Sequence, residues 1–155
     1  MIDREKVQLL LDRTEISEVV YRYATSIDQR DANLLATVFA DEVTVLLRGG
    51  SFKEGRKQTL PGNQFADSVI KSISRFASTQ HLFNVYKIDL RGDEAQTLVY
   101  MQARHFIRES EGVHPPWDMG GYYVHHLVRT ASGWKVREYT LNITWELNVA
   151  PRLPR

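Results

Sequence analysis

The chain has 155 residues, of which 43% are hydrophobic and 25% charged; 20 Lys and Arg stand against 19 acids, leaving a net charge of +1. One domain spanning 1–155 with a full core is expected, and the scattered charge lacks the basic stripe that nucleic acid demands. The absence of cysteine excludes disulfides, thiolate nucleophiles and Cys-based metal sites. No apolar run approaches the roughly 20 residues of a membrane span. "MIDREKVQLL" is too charged for a signal peptide, so no membrane association and a cytoplasmic location are expected.

In chain order, Asp3 to about Asp28 reads as a helix. Asp3 is its N-cap, Ile2 and Val7 form a staple, and Ile16, Val20, Tyr23 and Ile27 lie on one buried stripe. "DQRDANLLATVFADE" gives a turn and a short helix capped by Asp31, burying Leu34, Leu35 and Val38, and "EVTVLL" a β-branched strand. Residues 48–63 contain Gly-Gly, Glu-Gly and Pro-Gly and read as a loop or irregular edge. A third helix is expected from Gln64 to Phe76. The period then changes to two, with strands near 79–90, 95–109, 119–130 and 134–147. Parity breaks in the last of these, predicting a bulge near Arg137–Glu138. The tail "APRLPR" cannot continue a strand.

The strand "STQHLFNVYKIDL" opens with His81, and an inward imidazole needs partners. On the next strand Ala95, Thr97, Val99, Met101, Ala103, His105 and Ile107 share the apolar face. A three-residue turn, Gly92-Asp93-Glu94, sets His81 directly across from His105; a two-residue turn would put His105 on the polar face. Asp28 follows Tyr23 by five residues, about 500° around the axis, so it leaves the stripe and reaches the sheet only from the helix end. The competing assignment makes Asp28 a turn cap for Arg30 or Asp31. His125 and His126 are adjacent, so at most one joins His81 and His105.

"YRYATSIDQRDANLLATVFADE", "TQH", "GYYVHHLVRTASGWKV" and "ITW" together resemble the SnoaL-like domains of the nuclear-transport-factor-2-like superfamily. The resemblance implies an α+β fold: a cone-shaped, curved antiparallel or mixed sheet wrapped around N-terminal helices and enclosing a pocket. The site residues look most like those of scytalone dehydratase and the bile-acid 7α-dehydratases. They imply a catalytic set of Asp28, His81, His105 and Tyr23, with Ile27 where scytalone dehydratase has a tyrosine. The implied activity is a cofactor-independent dehydratase or isomerase acting on a cyclic hydroxylated carbonyl compound, with no metal or organic cofactor. In that reading Asp28 orients His105, His81 moves the proton and Tyr23 donates to the substrate carbonyl. Tyr122, Trp145, Trp117, Met101 and Phe83 are the expected substrate-binding wall for a small apolar ring compound. The alternatives are a small subunit of a ring-hydroxylating dioxygenase or a non-catalytic binding module, since this fold hosts all three. Leu98, Tyr100 and Phe106 on the outer face lead to the expectation of a homo-oligomer, dimer or trimer.

Overall fold

A computed structural model describes residues 3–53, 55–108 and 112–149. Three helices precede or interrupt six strands: α1 (Arg4–Gln29), α2 (Ala32–Ala36), β1 (Phe39–Gly49), β2 (Arg56–Pro61), α3 (Gly62–Ile73), β3 (Ser78–Arg91), β4 (Glu94–Phe106), β5 (Trp117–Thr130) and β6 (Gly133–Leu147). The strands form one sheet of order β2-β1-β6-β5-β4-β3, antiparallel throughout except for the β1–β6 pair. This is the α+β cone, with the helices on the concave side.

The Asp3 carboxylate caps α1 by accepting from Glu5 and Lys6 N–H. Ile2, the other half of the expected staple, and the whole tail 150–155 lie outside the described residues. The stripe of Ile16, Val20, Tyr23 and Ile27 is buried as its spacing requires; each such side chain contributes about 1.5–3 kcal/mol relative to exposure. Helix α1 ends through Arg30, held at φ 58°, with Arg30 N–H donating to Ile27 O and Asp31 N–H to Ser26 O. Asp31 then caps α2, which buries Leu35 fully and leaves Leu34 half-exposed.

Two expectations need correcting here. The 48–63 segment is more ordered than its glycines suggest: a 3-10 turn at Gly50–Phe52 leads into β2, which closes the β1 edge. The third helix starts at Gly62 and stops at Ile73, so Phe76 is buried from the connection beyond the helix. The sheet bends at its bulges. Against β5, Arg137 is the extra residue between Val136 and Glu138, where the parity break placed it. A second bulge leaves Thr144 unmatched between Ile143 and Trp145. Gly121 sits at that bend, and a Cβ there would lie 2.0 Å from Asn142 O.

Candidate active site

The expected pairing of His81 with His105 is off by two residues: His81 faces Ala103, and His105 faces Thr79. Glu94 pairs Arg91, so the turn is the two-residue one, Gly92-Asp93. A regular ladder from that turn would have turned His105 away from His81. It does not, because the β3–β4 register shifts between Val85 and Lys87, leaving Tyr86 unmatched. Tyr86 and Lys87 both face out, Thr79, His81, Phe83 and Val85 face in below the bulge, and Ile88 and Leu90 face in above it. The imidazoles of His81 and His105 therefore share the concave face, ring centroids 5.5 Å apart and nearly perpendicular.

Asp28 reaches this face from the last turn of α1. Its Oδ1 lies 2.7 Å from His81 Nδ1 and accepts the Thr79 hydroxyl at 2.8 Å, while Oδ2 accepts the His81 backbone N–H at 2.9 Å. The carboxylate thus covers part of the β3 edge as well as holding the ring, and it is not the cap of the following turn. This corrects the expected partner: Asp28 orients His81, not His105. Burial pushes the Asp28 carboxyl up, but the hydrogen bonds from the His81 ring and backbone N–H, the electrostatic interaction with that ring and the Thr79 hydroxyl outweigh it and hold the group below the ordinary carboxylate value. A carboxylate only accepts, so Nδ1 of His81 carries a proton and Nε2 is left for chemistry.

His105 is held differently. Its Nδ1 is 3.2 Å from the carbonyl oxygen of Trp117, so that nitrogen donates, and the ring stacks on Trp117 and packs at a tilt against Phe76, each 4.8 Å away. Burial first, then the neighbouring His81 and Arg75, lower its pKa to about 4 against the opposing pull of the Trp117 carbonyl. At neutral pH His105 is an uncharged ring with the Nε2 lone pair available.

Both rings open on a cavity of about 350 Å3 whose wall is mostly apolar. Met101 and Trp117 line it as expected, with Met119 alongside. Three expected wall residues do not line it. Phe83 lies behind Tyr23, stacked on its ring at 5.8 Å. The ring of Tyr122 is on the convex face beside that of Tyr100. The Thr144 bulge turns Trp145 outward, where it is 40% exposed and covers Gly120.

Tyr23 does line the cavity, and its hydroxyl is 2.8 Å from that of Tyr139. Tyr123 completes a buried cluster with both. Burial pushes the Tyr23 phenol up to about 12 and those of Tyr123 and Tyr139 upward as well, so all three stay protonated at neutral pH. The pairing of Tyr139 with Tyr23 is not among the expectations drawn from the sequence; inward parity was the available signal for both Tyr123 and Tyr139. His125 is inward but belongs to the core: its Nδ1 is 3.3 Å from the Thr97 hydroxyl, its ring lies against Tyr123 and Tyr139, and burial lowers its pKa to about 3. His126 faces out beside Gln96. Among the described residues no group of three or more His, Asp or Glu is placed to hold a metal, and no helix is long and apolar enough to cross a membrane.

A cone of this topology, with a helix-borne carboxylate holding an imidazole over an apolar hollow, defines the class. The profile of the SnoaL-like domain matches residues 8–140, and the chain belongs to that family. It is 27% identical over 141 residues to terrestric acid biosynthesis cluster protein E of Penicillium crustosum, a match covering 88% of this chain and 85% of that protein. The Kfla4162 protein of Kribbella flavida superposes with a TM-score of 0.84 at 26% identity, covering 90% of this chain and 95% of that one. A candidate scytalone dehydratase from Novosphingobium aromaticivorans superposes at 0.77 and 19% identity, covering 95% and 93% of the two chains, which establishes the shared fold.

Proposed function

We propose that the chain is a cofactor-independent lyase, a dehydratase, or a closely related isomerase acting on a cyclic hydroxylated carbonyl compound. The observation that carries this is the Asp28–His81 pair, whose remaining ring nitrogen meets a largely apolar cavity with His105 beside it. His81 Nε2 takes a proton from the carbon next to the substrate carbonyl, and Asp28 stabilises the imidazolium that forms. The protonated Tyr23 hydroxyl, held beside that of Tyr139, donates to the carbonyl oxygen as it becomes an enolate. The neutral His105 accepts a hydrogen bond from the substrate hydroxyl and sets its orientation. The proton on His81 then passes to the departing oxygen; the C–O bond breaks, the enolate electrons form the double bond, and water leaves.

The cavity is near the lower end of the roughly 300–1,000 Å3 range of ligand pockets and suits one or two fused rings. Membership of the curated relative in a biosynthetic cluster for an organic acid supports a small-metabolite substrate. A scaffold subunit would have no need of a buried acid–base pair on a hollow.

The test is dehydration of 3-hydroxy-1-tetralone to 1-naphthol, a two-ring β-hydroxy ketone followed by its ultraviolet absorbance. The wild type should exceed the buffer rate, and His81→Asn should lose at least ~100-fold of that enzymatic rate. Unchanged turnover in a folded His81→Asn protein would remove the proposal.

A further inference from the structure

Beyond the acid–base groups, the described cavity wall carries one side chain with a permanent charge. Arg75 follows the end of α3, is exposed at the mouth, and lines the same hollow as His81 and His105. Its guanidinium lies over the Phe76 ring at 4.6 Å and near the Trp117 ring at 5.9 Å, the two aromatics that pack against His105.

The ordinary structural employment for an arginine in this place is already taken. The carbonyls at the end of α3 are served by other side chains: Arg108 donates to Ser74 O at 2.7 Å and Arg75 O at 3.1 Å, and Arg30 to Phe76 O at 3.2 Å. Among the described residues no carboxylate forms an ion pair with Arg75, Arg30 or Arg108. Among the described residues no acidic side chain lines the cavity; Asp28 is committed to His81 and Thr79. Among the described residues the mouth therefore carries positive charge with no paired carboxylate over an apolar interior, and the Arg75 guanidinium sits over an aromatic ring with no hydrogen-bond acceptor.

We propose that Arg75 is a specificity-determining residue that selects substrates carrying an anionic oxygen group, a carboxylate or an enolate of comparable acidity, at the edge away from the reacting carbon. This rests on the acid–base reading of the same cavity and narrows its substrate class. The apolar ring enters between Met101, Trp117 and Tyr123, the acidic group stays at the mouth on the guanidinium, and the rim draws such anions in before they dock.

The probes are 2-naphthoate and its neutral near-isostere 2-naphthamide, titrated calorimetrically at low ionic strength against wild type, Arg75→Gln and Arg75→Lys. Wild type should bind the carboxylate about tenfold more tightly than the amide, in line with a charge-assisted contact at a partly wet site. Arg75→Gln should erase that preference with the amide affinity unchanged, Arg75→Lys should keep part of it, and added salt should shrink it. Equal affinities in the wild type, an unchanged carboxylate affinity in Arg75→Gln, or an equal loss for both probes would overturn the inference and leave the acid–base reading standing. Wild type that binds neither probe would overturn both.

Discussion

At His81 and His105 two chemically identical rings are prepared for different work by their partners. The Asp28 carboxylate holds His81 by Nδ1, whereas a neutral carbonyl holds His105 in a buried aromatic cluster. Nitrogen NMR of the side chains should therefore find Nδ1 protonated in both, and His105 still uncharged at pH 6, two units above its pKa of about 4. Titration of His105 near 6.5 would contradict that. Asp28→Asn leaves an amide able to accept at one atom only, so the ring loses its charged partner; the expected result is a tenfold or greater fall in turnover with near-native stability. Tyr23→Phe removes the hydroxyl but not the ring that packs on Phe39 and Phe83, and should slow turnover while the fold survives.

At the level of elements, the β5–β6 pair depends on close backbone approach. Gly121→Ala would drive a Cβ to 2.0 Å from Asn142 O, a backbone atom that cannot step aside cheaply. A loss of about 1–3 kcal/mol in urea unfolding is expected, the range for overpacking; a neutral outcome would show that the Thr144 bend is more yielding than its geometry implies. Periodicity made much of this fold legible beforehand. The α1 stripe, the inward parity of β4 and the Arg137 bulge all follow from where apolar residues fall. The Tyr86 bulge was legible too, because inward positions switch from odd at Val85 to even at Ile88, but a longer turn explained the same parity and the register slipped by two. Trp145 was misplaced for the opposite reason: its parity follows the strand until the Thr144 bulge, which no change of residue type announces. The Asp28–His81 contact spans 53 positions and depends on where the end of α1 meets the first residues of β3, which helix periodicity alone does not fix.

For the whole molecule, the helical layer is tied to the sheet at the end remote from the histidines. Buried Asp12 on α1 accepts a two-pronged contact from Arg129 on β5, at 2.7 and 2.8 Å, and Arg129 also holds Asp93 in the β3–β4 turn and stacks on Trp134. The Arg129 hydrogen bond outweighs burial and lowers the Asp12 pKa from 3.8 to about 2. Acid should unfold the protein in two overlapping stages. The unfolded chain protonates histidine from about 6.5, whereas folded His105 and His125 resist until about 4 and about 3, so their contribution is full above 6.5 and declines as pH falls. The Asp12 contribution is present above 3.8 and is lost toward 2. The melting temperature should thus be level near neutrality and fall steadily from about pH 6.5 to 4. His125→Gln should flatten the upper part of that slope, and a melting temperature that rises on acidification would refute the assignment.

The central claim is that a carboxylate-held imidazole moves protons inside the cone, and exchange of the α-hydrogens of 2-tetralone in D2O, followed by proton NMR, reads that step without any need for a leaving group. Wild type should accelerate exchange over buffer, Asp28→Asn should slow it, and His81→Asn should return it to the buffer rate with the fold intact. Exchange by His81→Asn as fast as by the wild type would contradict the account.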